Sequence, residues 1–242
     1  MINPKKYAVL MLRSKLELEA GQERIIYAIS SYMDAHGLIP CRRENAERTL
    51  CFTRTAGGWS VFDDCADRLD AAELDGLGRC LTRVLSQSWQ DVPAIGIMGD
   101  GDTRMLRLYR EGRRTDTYIT SPGVFGCVGR WLSCRGHAVR WWGMLPDGGN
   151  ISALSAAFEL GQENAPNGFD AIQQVLHLDG TCRYGFSSLD EAKVCDEANC
   201  RYLAEMYFCA ANHVRQRWFD KFLPPFIQRR TAQATSFRNC GK

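Results

Sequence analysis

No apolar run in this sequence comes near the roughly 20 residues that a bilayer-spanning helix requires. Its first apolar stretch, Tyr7 to Leu12, follows Lys5 and Lys6 and is cut short by Arg13, Lys15, Glu17 and Glu19. That is too brief for a signal-peptide core, so a first β-strand and a cytoplasmic protein without membrane contact are expected. Histidine is scarce, with four residues in 242, which leaves few bases that titrate near neutral pH. No CxxC pair, GxSxG elbow or internal repeat occurs, so none of the strong local signatures of redox, metal or hydrolase chemistry is present.

Cysteine, by contrast, is plentiful. The eleven cysteines are odd in number and scattered from Cys41 to Cys240, unlike the dense, even spacing of a secreted disulfide framework. They are expected to be reduced, and most of them buried. The net charge of +2 hides a basic end: from Arg201 onward eight Lys or Arg face two acids. A basic segment of this kind is read first as a solvated face.

The apolar pattern predicts an α+β fold. Leu18, Ile25, Ile29 and Tyr32 share helical spacing ahead of Gly37, and Thr49–Thr53 with Trp59–Phe62 form a strand–turn–strand pair. Leu74, Leu77, Leu81 and Leu85 make the clearest amphipathic helix. Residues 94–119 hold three β-prone runs joined by two glycine-containing turns, an antiparallel meander. Its Leu106 and Leu108 are expected to face the Leu74/Leu77/Leu81 stripe. Two short helices follow near 151–161 and 167–176, the second capped by Asn167. The capping-box pattern Ser188-Leu189-Asp190-Glu191 predicts a long helix past Leu203, Met206 and Tyr207, ended by Pro224-Pro225.

The reading is thus a mostly antiparallel sheet, with its meander near 94–119, covered by amphipathic helices and followed by a helical C-terminal part. Residues 1–120 form the sheet-and-helix part, 121–149 a Gly/Trp-rich connection and 150–242 the helical part, packed as one unit. Seven of the 29 residues in 121–149 are glycine, and Trp131, Trp141 and Trp142 sit among them. That stretch is the place to look for a site.

Within it, Cys134 and His137 are the candidate catalytic pair, because nucleophilic catalysis needs a thiol or hydroxyl held against an oriented base. Cys134 to Arg140 also has the C-x5-R spacing of the phosphate loop of phosphotyrosine phosphatases, which it resembles over seven residues only. Ser133 stands where that loop has His, and Trp141 where it has Ser or Thr. The match is set aside as one that eleven cysteines give by chance. The Gly123/Gly126/Gly129 spacing fits no nucleotide loop, and Cys127, Cys134 and His137 lie too far apart for a zinc knuckle, so no metal or cofactor is expected.

Arg107, Arg140 and Trp141 are the candidate ligand-binding residues. The arginines of the meander (Arg104, Arg107, Arg110, Arg113, Arg114) are expected to pair with Asp102, Glu111 and Asp116 rather than to hold nucleic acid. Asp63, Asp64, Asp67, Asp100 and Asp102 suit helix and turn positions. Trp218, Phe219, Phe222 and Phe226 offer a surface for packing on the chain itself or across a homodimer. Two functions follow: a binding or regulatory protein, or a small hydrolase or transferase using a Cys/His site in 121–149.

Overall fold

The structure, a computed structural model, describes residues 7–13, 18–55, 58–63, 69–87, 92–100, 103–120, 134–178 and 202–211. In chain order the first elements are β1 (Tyr7–Leu12), α1 (Leu18–Ala35), β2 (Leu38–Pro40), β3 (Arg48–Thr55), β4 (Gly58–Asp63) and α2 (Ala71–Ser86). The meander follows as β5 (Ala94–Asp100), β6 (Thr103–Arg110) and β7 (Arg113–Ile119). A 3-10 helix (Ala138–Met144), α3 (Ile151–Glu163), α4 (Ala165–Leu176) and β8 (Tyr202–Ala210) complete the described chain.

Local chemistry sets most of these boundaries. The Asp70 carboxylate accepts from the N–H groups of Ala72 and Glu73, both at 2.8 Å, and starts α2. Asn150 starts α3 in the same way. The cap of α4 is Asn164 rather than Asn167, with Pro166 in the first turn where a missing N–H costs nothing. The tight turn between β6 and β7 takes positive φ at both Glu111 and Gly112, the geometry that suits the twist of a two-residue hairpin.

The eight described strands form one antiparallel sheet in the order β2-β8-β3-β4-β1-β5-β6-β7. Side chains alternate across it, so the central strands β1, β3, β5 and β6 feed two cores. On one face Leu10, Leu12, Leu50, Phe52, Ala94 and Tyr109 pack with Ile25 and Ile29 of α1 and Leu74, Leu77 and Leu81 of α2. On the other, Val9, Met11, Ile95, Ile97, Leu106, Leu108 and Tyr118 pack with Leu154 and Phe158 of α3 and Phe169 and Ile172 of α4.

Leu106 and Leu108 therefore face α3 and α4, which corrects the expectation that they meet the Leu74/Leu77/Leu81 stripe. Among the meander residues that do meet α2 is Tyr109, whose ring lies so close to Gly78 that an added Cβ would come within 2.7 Å of it.

A second correction concerns Tyr202–Ala210. These residues are not part of a long helix; they form β8, inserted between β2 and β3. Met206 and Phe208 point to the α1/α2 core, while Glu205 and Tyr207 hydrogen-bond to each other on the opposite face. The expected capping box at Ser188 and the aromatic segment Trp218–Phe226 lie outside the described residues. No described helix is long and apolar enough to cross a membrane.

Candidate functional site

Beyond β7 the chain returns along the edge of the sheet. Arg135 bridges Tyr118, and the Gly136 N–H donates to the Thr117 carbonyl at 3.2 Å. Gly136 has φ +73, and a Cβ there would come within 2.9 Å of the Phe158 ring, so glycine alone suits this turn. Strand alternation then decides what the neighbouring side chains meet. Cys134 joins Met105 and Ile119 on the α1/α2 side of the sheet. His137, three residues on, lies on the opposite side against Asp116.

Asp116 is the centre of this corner. Its side chain is 2% exposed, and it accepts the backbone N–H of His137 at 2.6 Å and the Trp141 indole N–H at 2.7 Å, both on Oδ2. Oδ1 faces His137 Nδ1 at 3.2 Å and Arg140 Nη1 at 3.6 Å. A buried carboxylate is tolerated only where donors replace its water, and here three nitrogens do so while the Arg140 guanidinium adds its charge. An ionised carboxylate only accepts, so a neutral imidazole in this contact carries its proton on Nδ1 and its lone pair on Nε2. Nε2 has no hydrogen-bond partner among the described residues, and the imidazole is 54% exposed.

The 3-10 helix that follows repeats every three residues, so its side chains fall into three ridges. Ala138, Trp141 and Met144 form the ridge that enters the core. His137 and Arg140 belong to the second, and Arg140 Nη1 also donates to the Thr115 carbonyl at 3.0 Å. Val139 and Trp142 form the third, and it faces solvent: they are 73% and 64% exposed. Trp141 is edge-on to Phe158 with ring centres 5.5 Å apart, so the inner ridge is fixed while the outer ones stay open.

Of the candidate residues, the structure brings together His137, Arg140 and Trp141. It does not bring Cys134 or Arg107 to them. Cys134 lies across the sheet, so the C-x5-R string forms an edge and a 3-10 helix rather than a cradle around one anion. Arg107 is on the α1/α2 side, where it donates to the Ala71 carbonyl and lies 3.9 Å from Asp75. Asp116 joins the site instead, drawn to His137 and Trp141 rather than to the meander arginines. Its signal in the sequence is an acid at an inward position of a strand, two residues before Tyr118.

The remaining described histidines have structural roles. His36 stacks near Tyr32, its Nδ1 2.8 Å from the Tyr32 carbonyl, and His177 ends α4 in a left-handed conformation. The five described cysteines, Cys41, Cys51, Cys80, Cys134 and Cys209, carry free thiols, and all but Cys41 are buried. Burial, and then a hydrogen bond with the Cys209 thiol, push Cys41 up to about 12. Among the described residues no three metal-ligating side chains converge.

No family model matches the chain, and no curated protein or solved structure matches it either. The chemistry of the corner itself is what any functional reading rests on.

Proposed function

We propose that the protein is a binding or regulatory protein, and that the outer ridges of the 3-10 helix Ala138–Met144 are its contact surface. The observation that carries this reading is the exposure of Val139 and Trp142 on a short helix whose inner ridge is pinned by Asp116. Tryptophan and arginine are the residues that most often dominate binding energy at interfaces. A rigid element presenting them loses little conformational entropy on association. Arg140 and His137 stand beside the apolar ridge, which suits a protein segment carrying both an apolar side chain and an acidic one.

A photo-crosslinking residue placed at Trp142 in cells, with a second placed at exposed Tyr27 as the control, tests this. One discrete adduct from position 142, lost with Arg140→Glu, is the expected result. No adduct, or the same adducts from both positions, refutes it.

A second reading, a small hydrolase or transferase, draws support from the Nδ1–carboxylate contact, which orients a free Nε2 towards solvent. In that reading His137 takes a proton from water or from a substrate hydroxyl, and Cys134 is not its nucleophile. Turnover of an ester or thioester that His137→Gln abolishes without lowering the melting temperature would favour it over the binding reading.

A further inference from the structure

On the opposite face of the sheet from the 3-10 helix, three guanidinium groups converge on one carboxylate. Arg79 Nε lies 2.8 Å from Asp75 Oδ2, Arg114 Nη1 3.2 Å from Oδ1 and Arg107 Nη1 3.9 Å from Oδ1. Asp75 is the only carboxylate within ion-pair reach of these three among the described residues. Three cations against one anion leave a local excess of two positive charges.

The cluster's hydrogen-bonding capacity is only partly spent. Arg107 donates to the Ala71 carbonyl and lies against the buried Tyr109 hydroxyl, but its buried Nε has no acceptor within hydrogen-bond distance among the described residues. Tyr109 is completely buried, so its hydroxyl has no recourse to bulk water. The cluster opens to solvent through Arg114 and Arg79, whose side chains are 36% and 46% exposed.

We infer that Arg79, Arg107 and Arg114 form a binding site for the phosphate monoester group of a small molecule. A dianion matches the charge excess, and its oxygens match the fork of donors that each guanidinium presents. The three groups meet at one point instead of lining a track, which fits a single terminal phosphate better than a nucleic-acid backbone. Arg107 would hold the phosphate from the inner side, while Arg79 and Arg114 would release part of their hold on Asp75 and close from outside. The site is independent of the 3-10 helix surface, since the sheet separates the two.

Calorimetric titration of the full chain with phenyl phosphate, and separately with phenyl sulfate, tests the assignment. Saturable binding is expected, with the dianionic phosphate ester held about tenfold more tightly than the sulfate ester, and with Arg79→Ala and Arg114→Ala each weakening it roughly tenfold. Both arginines are more than one-third exposed, so melting curves should show these variants folded. Asp75→Asn removes the competing carboxylate and should tighten binding several-fold. Absence of saturable binding overturns the assignment, as does binding that neither arginine variant changes. A mixed-sequence oligonucleotide without terminal phosphate, if bound as tightly as phenyl phosphate, also overturns it in favour of a backbone track.

Discussion

Asp116 shows how one side chain can organise a corner of a protein. Its neighbours in β7, Thr115 and Thr117, turn their carbonyls outward to Arg140 and Gly136, while its own carboxylate gathers the His137 and Trp141 donors. Replacing Asp116 by Ala would strand those donors, and a buried donor without an acceptor costs about 1–3 kcal/mol. The denaturation midpoint should fall accordingly, and a midpoint equal to wild type would mean the carboxylate holds nothing together. Asp116→Asn is expected to be milder and different in kind. Its amide oxygen can still accept from Trp141 and from the His137 backbone, but its NH2 group must donate to Nδ1. The His137 ring should then switch to the Nε2–H tautomer, a change that nitrogen-15 NMR reads directly.

The same dependence on local detail governs whole elements. Gly136→Ala should destabilise the fold by roughly 1–3 kcal/mol, because it combines a disfavoured φ with contact against Phe158. It should also pull His137 from Asp116, seen as a shifted indole N–H resonance of Trp141. An unmoved resonance would mean the edge segment does not position the site. Elements whose cause is local were legible in the sequence: the Leu74/Leu77/Leu81 helix, the meander with its Gly112 turn, and the apolar first strand. β8 was not. Leu203, Met206 and Tyr207 fit helical spacing, and the same residues also alternate between two faces. What decides between them is pairing with β3, a partner that no local window contains. In the site, His137, Arg140 and Trp141 stood out as chemistry in a glycine-rich stretch, but their arrangement depends on two non-local facts. One is that residue 135 returns to residue 118; the other is that glycine-rich chain closes into a 3-10 helix under tertiary packing.

For the molecule as a whole, two cores share one sheet, and buried phenols sit in both. Burial, reinforced by Glu73, pushes Tyr32 up to about 12 in the α1/α2 core. Burial alone does the same to Tyr118 in the α3/α4 core, against the opposing pull of a Gln162 hydrogen bond, and burial moves Tyr109 upward as well. A raised folded value means the native state favours the neutral phenol. That contribution is complete below the ordinary value of 10.0 and is lost as pH climbs towards about 12. Stability should therefore fall across that alkaline window, and tyrosinate absorbance should rise together with unfolding. Full ionisation of every tyrosine while the fold persists would contradict the burial. The strand order carries a last consequence, for synthesis. β8 lies between β2 and β3, so the growing chain cannot complete its sheet until residue 210 has left the ribosome. Until then β3 presents an unpaired backbone edge flanked by apolar side chains, the kind of surface that chaperones bind and that aggregates recruit. A ribosome stalled ahead of β8 should hold a nascent chain far more sensitive to protease than one stalled well beyond it.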